Sequence, residues 1–332
     1  MPAGEFDLID RYFRPLEGPG GRARRDVLRG VGDDAAVLRV PAGQELVAAI
    51  DTLVAGRHFL VDSDPVAIGH RALAVNLSDL AAMGATPAWA LLALTLPAAD
   101  EEFLSGFARG FGSLAALHGL ALVGGDTTSG PLTISVQVLG FLPPGSALCR
   151  DGAAAGDLIF VSGSVGDAAA GLLLEQGRLA PRAHLAAEET ALRRRLLFPT
   201  PRVALGERLR GVASGCIDIS DGLAADAGKL AAASGCGLRL EADELPLSGA
   251  LTAVCGADAA LRLALTGGDD YELCFALPPG ALAELPDRLA AAGCPVRCVG
   301  VLEATPGIRV QRQGETLDLP TAGFDHFPNV DT

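Results

Sequence analysis

The sequence predicts a two-domain protein of the α/β (α+β) class, on three observations. A chain of 332 residues can bury a large core and more often forms two domains than one. Hydrophobic residues make up 49% of it and aromatic residues only 5%, which, with 42 glycines, fits layered helices and sheets better than an aromatic-rich β-sandwich. Residues 143–156 hold two prolines and three glycines, a composition typical of a linker. We therefore predict an N-terminal α/β domain over residues 1–143 and a C-terminal α/β domain over residues 144–332.

Apolar spacing and capping residues predict the elements of the N-terminal domain. Short apolar runs bounded by glycine or proline indicate strands, and apolar residues at helical spacing indicate helices. Asp100 followed by two glutamates is typical of an N-cap and an acidic first turn. The predicted elements are a helix over residues 5–13, strands over 35–40 and 45–51 with Asp51 at the exit of the second, a helix over 65–83, a strand over 89–96, a helix over 101–117, and strands over 120–123 and 132–141 around a turn at Gly124, Gly125 and Asp126.

The C-terminal domain alternates strands and helices in the same way. Its glycine-rich segments end strands and precede helices, as in other layered α/β structures. The predicted elements are strands over residues 158–161, 216–219, 237–240, 271–276, 296–301 and 308–310, and helices over 167–174, 202–210 and 222–234.

The charged residues exclude several partners and two kinase architectures. The chain carries 26 basic and 40 acidic residues, a net charge of −14, which disfavours nucleic acid and anionic membrane surfaces. Its arginine-rich stretches at residues 22–29 and 193–195 are not interleaved with aromatic residues and fit solvated surfaces. Lys229 is the only lysine and is followed by Leu230, so the Walker A loop and the protein-kinase lysine motif are both absent.

The lack of a signal-peptide pattern and the spacing of the cysteines favour a cytoplasmic location. The first residues are acidic and lack a signal-peptide pattern, and the longest apolar stretch, residues 88–99, is short and interrupted by Pro97. The seven cysteines are scattered without metal-binding or redox spacing, which fits a reducing compartment. We expect a cytoplasmic protein with no membrane and no nucleic acid among its partners.

Five segments place aspartate beside glycine or other small residues. Mg²⁺ prefers hard oxygen ligands such as one or two carboxylates with phosphate oxygens and water, and glycine lets backbone amides approach phosphate closely. The repetition therefore predicts nucleotide-dependent phosphoryl transfer around several metal ions, with the carboxylates converging from distant parts of the chain. The five segments are Gly32 to Ala36, Asn76 to Asp79, Gly124 to Thr128, Asp218 to Gly222 and Gly267 to Tyr271.

Two of these aspartates in the N-terminal half also have structural interpretations. Asp34 belongs to a Gly-Asp-Asp segment, which is an ordinary turn signal as well as a source of metal ligands. Asp79 follows Asn76 by three residues and shares its helical face among apolar neighbours. An unpaired carboxylate in such surroundings is costly, and a metal ion would relieve the cost. Asp51, at the expected exit of a strand, lies where ligand sites of α/β proteins form.

The C-terminal segments leave similar alternatives open. Asp218 and Asp221 flank Ser220 at a strand-to-helix junction, where they are metal ligands or helix N-caps. The loop from Ser162 to Asp167 could contact phosphate, although Asp167 itself is read as a first-turn helix residue. The histidines form no hydrolase pattern, so hydrolytic functions are disfavoured.

The same segments, taken in order, resemble the thiamine-monophosphate kinase family. The resemblance extends from Gly4-Glu5-Phe6 to Gly323-Phe324-Asp325-His326-Phe327 and covers essentially the whole chain. It is carried by Gly32-Asp33-Asp34-Ala35-Ala36, Asp51-Thr52-Leu53-Val54 with His58-Phe59, the run from Val75 to Gly84, Gly124-Gly125-Asp126-Thr127-Thr128, Asp218-Ile219-Ser220-Asp221-Gly222-Leu223 and Asp270-Tyr271-Glu272-Leu273.

The resemblance implies a fold and a reaction. The fold is the two-domain aminoimidazole ribonucleotide synthetase-like fold, in which an N-terminal α/β domain that binds ATP and Mg²⁺ forms a barrel across a homodimer, followed by a C-terminal α/β domain. The reaction is phosphorylation of thiamine phosphate to thiamine diphosphate by direct in-line transfer, with ATP as co-substrate and several Mg²⁺ ions as cofactors. The implied partners are ATP, thiamine phosphate and a second copy of the chain.

Carried over by motif, the resemblance also implies the site residues, none of which is a general base. The metal ligands would be Asp34, Asp51, Asp79, Asp126, Asp218 and Asp221. The ATP-binding residues would be Gly125, Asp126, Arg150 and Ser220. The substrate-binding residues would be His58, Asp269 and Phe324.

Two positions depart from the family pattern. Ala49 and Ile50 precede Asp51 where the family usually has hydroxyl residues, so a metal contact there would come from backbone carbonyls. Asp269 stands where the family usually has glutamate, so the carboxylate is one methylene shorter.

Two alternatives remain at this point. One is another ATP-dependent enzyme of the same superfamily, of the selenophosphate synthetase, aminoimidazole ribonucleotide synthetase or hydrogenase maturation type. The chain ends in Asn329-Val330-Asp331-Thr332 without a terminal cysteine and lacks an N-terminal Cys-Gly-Cys-like nucleophile, which disfavours two of these. The other is a noncatalytic nucleotide-binding regulator, which would bind ATP without consuming it.

Overall fold

The computed structural model describes residues 5–18, 24–290 and 292–318. The described residues divide into two compact units, one formed by those up to residue 80 together with 85–147, and the other by residues 81–84 together with those from 148 onward. The domain boundary between residues 143 and 144 stays a prediction. Within the described residues, no single helix is long and apolar enough to cross a membrane, and the helices Gly249–Cys255 and Ala257–Thr266 reach that length and composition only as a pair bent by 118°.

The first unit contains a four-stranded sheet and two long helices. Its strands have the order β3-β6-β4-β5, in which β4 and β5 are parallel and the other pairs are antiparallel. A separate antiparallel pair, β1-β2, precedes them. The elements are α1 Glu5–Leu8, which continues as the π-helical turn Ile9–Phe13, β1 Val27–Arg29, β2 Val37–Leu38, β3 Glu45–Val54, α2 Pro65–Ala82, β4 Thr86–Leu96, α3 Glu101–Leu117, β5 Ala121–Ser129 and β6 Thr133–Leu142.

Helices α2 and α3 pack with their backbones in contact. A β-carbon at Gly69 would lie 2.1 Å from the Phe107 carbonyl oxygen, and one at Gly110 would lie 2.0 Å from the Val66 carbonyl oxygen. Only glycine fits such a close approach. Helix α3 begins as predicted, because the Asp100 side chain accepts hydrogen bonds from the backbone amides of the first turn.

The sheet of the first unit has one covered face and one open face. Along β6, Ile134, Val136 and Val138 are buried while the residues between them are half-buried. This period of two is expected when one face of a sheet is packed and the other is not. The packed face therefore carries the even-numbered residues of β6, and the open face carries the odd-numbered ones.

The second unit contains a seven-stranded sheet surrounded by helices. Its strand order is β13-β12-β9-β11-β7-β10-β8, and every pair is antiparallel except β12-β9. The elements are β7 Leu158–Ser162, α4 Asp167–Glu175, α5 Ala186–Leu197, α6 Val203–Leu209, β8 Gly215–Asp218, α7 Leu223–Ala233, β9 Gly237–Glu241, α8 Gly249–Cys255, α9 Ala257–Thr266, β10 Leu273–Leu277, α10 Leu285–Ala290, β11 Val296–Glu303, β12 Ile308–Arg312 and β13 Glu315–Thr316.

Each unit mixes helices with a sheet, so the predicted α/β (α+β) class with two domains is confirmed. Most predicted elements are present, and two local predictions are wrong. Asp51 does not end its strand, because β3 continues to Val54. The segment of Gly124, Gly125 and Asp126 is not a turn but lies inside β5. Helices α5, α8, α9 and α10 were not predicted.

Candidate active site

Asp51 lies on an edge strand that a buried amide holds in place. Strand β3 pairs only with β6 in its sheet, so its outer amides have no strand partner. The backbone N–H of Asp51 instead donates to the Asn76 side-chain oxygen over 2.9 Å, and the Asn76 amide donates to the Ala72 carbonyl. Asn76 is completely buried in α2. The Asp51 residue itself is exposed, yet the desolvation caused by the surrounding protein raises the pKa of its carboxyl.

Asp79 lies on the same side of α2 as Asn76. Residues three apart in a helix share a face, and Asn76 directs that face toward β3 at Asp51. Asp79 is half-buried, next to the fully buried Leu80. Asp51 and Asp79, two of the predicted metal ligands, therefore belong to segments that the bond between the Asp51 amide and Asn76 joins on the covered side of the sheet.

Asp126 points to the opposite, open face. It pairs across the sheet with Ala93, and this row continues through Ser135 to Thr52. The hydroxyls of Thr52 and Ser135 are 2.7 Å apart, which shows that the row shares a face. Because Asp51 is the neighbour of Thr52, its side chain lies on the other face.

The strands that carry these two aspartates are also the two edges of the sheet. From β3 to β5 there are three inter-strand steps, or about 14 Å between backbones. Mg²⁺ is held at only about 2.1 Å from its oxygen ligands. Asp51 and Asp126 of one chain therefore cannot bind the same ion, so the carboxylates of the first unit do not all converge within a single chain.

Gly125 must be glycine for a packing reason. A β-carbon at this position would lie 1.8 Å from the Leu92 carbonyl oxygen on β4, closer than any side chain permits. The pairing of β4 with β5 has a bulge just before this point, between Ala90 and Leu91. The glycine therefore lets the exposed end of β5 stay paired and present Asp126 on the open face.

Asp34 and His58 lie in turns of the first unit. Asp34 is exposed, and its backbone amide donates to the Asp33 carboxylate. It comes two residues before Ala36, which packs against the apolar cluster around Trp89. His58 lies in the turn after β3, where its Nδ1 accepts a hydrogen bond from the Val54 amide, and this bond fixes the imidazole ring.

In the second unit, the segment after β8 is organised by a residue that the sequence analysis did not identify. Asp218 is the last residue of β8 and is buried. The backbone amides of Ser220 and Asp221 donate to Asp226 Oδ2 over 3.0 and 2.8 Å. Asp226 is almost completely buried in α7, and the N-cap of α7 is Gly222 without a side-chain cap. The N-cap alternative for Asp218 and Asp221 is therefore wrong.

Asp269 is tied directly to this segment. Its amide donates to the Ser220 carbonyl over 2.9 Å, and the Tyr271 amide donates to the Ile219 carbonyl over 2.8 Å. Asp269 and Tyr271 both have left-handed backbones, with φ of 71° and 50°. Such conformations cost non-glycine residues about 1–3 kcal/mol each and are frequent at functional sites. The structure therefore brings the predicted substrate residue Asp269 to the predicted nucleotide residue Ser220.

Arg150 lies beside the same strand. The Cys149 carbonyl accepts a hydrogen bond from the Cys216 amide on β8, and the Arg150 carbonyl accepts one from the Ser234 hydroxyl. Arg150 itself is exposed. Phe324, the last predicted substrate residue, lies outside the described residues.

The glycine-rich loop before α4 is not arranged for phosphate. The backbone amides of Gly166 and Ala168 both donate to the Asp270 carboxyl, over 2.6 and 3.2 Å. Asp270 is buried, and this burial raises the pKa of its carboxyl to about 8. Asp167 begins α4 as predicted, and its carboxylate accepts hydrogen bonds from the hydroxyls of Ser164 and Ser248. The expectation that this loop could contact phosphate is therefore not supported.

Glu272 is a second buried carboxylate that sequence reasoning left without a role. It is fully buried and pairs with the guanidinium groups of Arg195 and Arg202, and it accepts a hydrogen bond from the Ser162 hydroxyl. It follows Tyr271, so this ion network anchors the strained segment that carries Asp269. The signal in the sequence was a glutamate inside an otherwise apolar strand, which indicates a paired charge.

The predicted metal ligands of both units are carboxylates, which are oxygen donors of the kind that Mg²⁺ prefers. Within residues 5–18, 24–290 and 292–318, no three His, Cys, Asp or Glu side chains are grouped so as to hold a metal ion by themselves. Mg²⁺ usually keeps water and uses only one or two carboxylates along with substrate phosphates. The predicted ligands are of the chemical type that this ligand set uses, and their role in binding Mg²⁺ stays a prediction.

Comparison with known proteins gives a consistent relationship. Residues 32–142 match the model of the AIR synthase related protein N-terminal domain, and residues 154–313 match that of the AIR synthase related protein C-terminal domain. Thiamine-monophosphate kinase of Escherichia coli (strain K12) is 46% identical over 98% of this chain and 99% of its own length. The Salmonella typhimurium enzyme of the same name is also 46% identical with the same coverage.

Solved structures agree with this relationship. Thiamine-monophosphate kinase from Stenotrophomonas maltophilia K279a superposes with a TM-score of 0.85 and 48% identity, covering 96% of this chain and 99% of that one. A structure described as AaThiL complexed with AMPPCP and TMP has a TM-score of 0.76 and 33% identity, covering 98% and 97%. The E. coli hydrogenase maturation protein HypE, at 23% identity and a TM-score of 0.74, shares the fold. With both domain models matched and with thiamine-monophosphate kinases related to it over nearly their full length, the chain belongs to the thiamine-monophosphate kinase family of AIR synthase related proteins.

Proposed function

We propose that this chain is an ATP-dependent kinase that phosphorylates thiamine phosphate to thiamine diphosphate. The observation that carries the proposal is its 46% identity to thiamine-monophosphate kinases over 98% of its length. A relative of 33% identity has been solved with AMPPCP, an ATP analogue, and TMP, thiamine monophosphate. The alternatives within the superfamily are not favoured, because the hydrogenase maturation proteins share the fold at lower identity. A noncatalytic regulator is not favoured either, because the relatives matched over the full length are kinases.

The acceptor explains why no catalytic base is assigned. A phosphate oxygen of thiamine phosphate is already anionic near neutral pH, so no side chain has to remove a proton from it. The principal obstacle is repulsion between donor and acceptor, since two unit charges 4 Å apart cost about 4 kcal/mol at an effective dielectric constant near 20. Positioning and charge compensation therefore account for catalysis by direct in-line transfer.

The aspartates of the two units supply the compensation through Mg²⁺. In this proposal Asp34, Asp51, Asp79, Asp126, Asp218 and Asp221 hold several ions, which neutralise the phosphates and align the transfer when bound. Ser220 would contact the nucleotide through its hydroxyl, because its backbone amide donates to Asp226 and its carbonyl accepts from the Asp269 amide. Gly125 and Asp126, in the exposed part of β5, would contact the nucleotide in the first unit. Arg150 adds a positive charge at the edge of β8.

The thiamine phosphate would be held by His58, Asp269 and Phe324. His58 is fixed by the Val54 amide, so its ring orientation is set before substrate binds. Asp269 is positioned by the Ser220 carbonyl and by Tyr271, whose hydroxyl donates to the Asp269 carboxylate over 3.2 Å. Asp269, which is one methylene shorter than the glutamate of the family, is thus held by one backbone contact with Ser220 and one side-chain contact with Tyr271.

A second copy of the chain would complete the site. The open face of the first sheet exposes Leu46, Ile50 and Val54 along β3, an apolar stripe on an edge strand. Stripes of this kind are normally covered by a partner. Because Asp51 and Asp126 mark opposite edges, pairing of two sheets into a barrel would bring the Asp51 edge of one chain to the Asp126 edge of the other.

The decisive experiment identifies the product. Purified protein is supplied with ATP and, separately, thiamine phosphate, free thiamine or selenide, and the products are separated by chromatography. We expect thiamine diphosphate and ADP with thiamine phosphate alone, and only when Mg²⁺ is present. ATP binding without turnover of any acceptor, or turnover with selenide, would contradict the proposal.

A further inference from the structure

The only lysine of the chain is paired with two aspartates of the second unit. The Lys229 ammonium in α7 lies 2.6 Å from Asp221 Oδ2 and 2.8 Å from Asp226 Oδ1. The Lys229 side chain is 46% exposed, Asp221 is partly exposed and Asp226 is almost completely buried. One cation therefore serves two carboxylates that lie at different depths.

The two carboxylates differ in what else they do. Asp226 uses Oδ2 to accept the backbone amides of Ser220 and Asp221, so its position is fixed by the loop that it supports. A buried carboxylate in this position needs a compensating charge, and Lys229 supplies it through Oδ1. The carboxylate of Asp221 lies nearer the solvent and is one of those to which the proposed function assigns Mg²⁺.

An ammonium and a divalent cation compete for the same carboxylate. Both are attracted to the negative charge of Asp221. If they shared this carboxylate they would lie only a few ångströms apart, and the two cations would repel each other. Mg²⁺ at Asp221 therefore favours a position of Lys229 that is closer to Asp226 alone. Because Lys229 already contacts Asp226, it can release Asp221 and still keep an ion pair.

We propose that Lys229 is an internal counter-ion that holds Asp221 in the cation-free enzyme and releases it to Mg²⁺ while keeping Asp226. The inference rests on the proposed function, because that function places Mg²⁺ at Asp221. Lys229 then has two effects. It keeps the Asp221 side chain in place before the metal arrives, and it lowers the affinity for the metal, so that Mg²⁺ is held firmly only when nucleotide phosphates add their own charge.

The single lysine allows a direct observation of this exchange in the unmodified protein. Growth on lysine labelled with ¹³C and ¹⁵N labels one side chain, so its Cε–Hε NMR signal needs no assignment. We expect titration with Mg²⁺ to shift this signal until saturation. In Asp221→Asn the signal should start at a different position and should not respond to Mg²⁺.

Calorimetry tests the effect on affinity. Replacing Lys229 by Met removes the competing charge, and we expect Mg²⁺ to bind roughly three- to fivefold more tightly, the upper part of the range for one partly exposed ion pair. Lys229→Arg keeps the charge and should stay within about twofold of the wild type. Arg312→Met is the matched control, because Arg312 is 44% exposed and also pairs with two aspartates, Asp243 and Asp258. It should leave Mg²⁺ affinity unchanged.

The outcomes separate this inference from the proposed function. If the wild type binds Mg²⁺ but the lysine signal does not move, or if Lys229→Met binds Mg²⁺ no more tightly than Arg312→Met, the counter-ion role is wrong while the kinase assignment stands. If the wild type binds no Mg²⁺ even with AMPPCP present, the metal sites of the proposed function are wrong. Should Lys229→Met fold poorly, the labelled wild-type protein and Lys229→Arg still decide the matter.

Discussion

Asp51 on β3 and Asp126 on β5 lie on opposite edges and opposite faces of one four-stranded sheet. If both bind ions beside the same nucleotide, each active site of a dimer uses Asp51 from one chain and Asp126 from the other chain. We expect Asp51→Asn and Asp126→Asn each to lower turnover by at least about a hundredfold, since removing an electrostatic contact to the transferring phosphate has effects of this size.

Heterodimers of these two variants test the shared site. Co-expression with two different affinity tags yields dimers that combine one Asp51→Asn chain with one Asp126→Asn chain. Such a dimer has one site with both defects and one intact site, so it should show about half of the wild-type activity per dimer. If each site belonged to a single chain, both sites would be defective and no activity would return.

The apolar stripe on β3 gives a prediction on assembly. Ile50 is 63% exposed on the open face, so Ile50→Glu should place a charge in the proposed interface and shift the protein to monomers. Leu117→Glu is the control, because Leu117 is 76% exposed at the end of α3, which lies on the covered side. Light scattering after gel filtration measures the mass. A dimer that survives Ile50→Glu would argue against this interface.

The buried amide of Asn76 gives a prediction on stability. Asn76→Ala leaves the Asp51 amide without its acceptor and removes a bond to the Ala72 carbonyl. We expect the free energy of unfolding to fall by about 1–3 kcal/mol and turnover to fall with it, because Asp51 loses its support. Gln44→Ala, in the turn before β3, should change neither quantity. Urea unfolding followed by circular dichroism, together with the product assay, measures both.

Gly125 gives a prediction that separates the cost of a steric clash from the cost of a side chain on a backbone with positive φ. Gly125→Ala would place a β-carbon 1.8 Å from the Leu92 carbonyl oxygen, so we expect a loss of at least about 2 kcal/mol and displacement of Asp126. Gly43 also has a positive φ, 72°, but no atom lies within 4 Å of its β-carbon position. Gly43→Ala should therefore cost only about 1 kcal/mol, and equal losses in the two variants would contradict the packing argument.

The buried Asp270 gives a prediction on pH. Its pKa in the folded chain, about 8, lies above the ordinary value of 3.8, so between these values the folded chain holds a proton that the unfolded chain has lost. The contribution of the Asp270 carboxyl to the free energy of unfolding is complete below about pH 4. It is lost as the pH rises through about 8, by up to about 1.4 kcal/mol per pH unit. We therefore expect Asp270→Asn to gain stability relative to the wild type from pH 5 to pH 8.

Thermal unfolding at several pH values measures this difference. Asp287→Asn, at an exposed position in α10, should follow the wild-type pH dependence. If the melting temperatures of Asp270→Asn and the wild type changed in parallel with pH, the Asp270 carboxyl would not be the titrating group.

The sequence predicted what depends on local patterns. Helix α3 is correct because Asp100, the acidic first turn and the apolar spacing all agree. Strand β7 is correct because a short apolar run ends just before Gly163. Helix α5 was missed because its charged residues leave little apolar periodicity.

What the sequence could not supply depends on contacts between distant segments. A glycine pair usually marks a turn, but Gly125 is required by the carbonyl of Leu92 on a neighbouring strand, which no local pattern reveals. Asp226 lies in an alanine-rich helix, and its role follows only from the position of the Ser220 loop. The separation of Asp51 from Asp126 likewise follows from strand order and register rather than from either motif.

The contact between Gly163 and Glu272 restricts how this protein can vary. A β-carbon at Gly163 would lie 2.1 Å from a Glu272 carboxylate oxygen, the same oxygen that binds Arg195 and Arg202. A larger residue at 163 would have to push away a carboxylate that two guanidinium groups hold. Residues 163, 195, 202 and 272 must therefore change together, in evolution or in design. A library that randomises them one at a time should return only the parental residues.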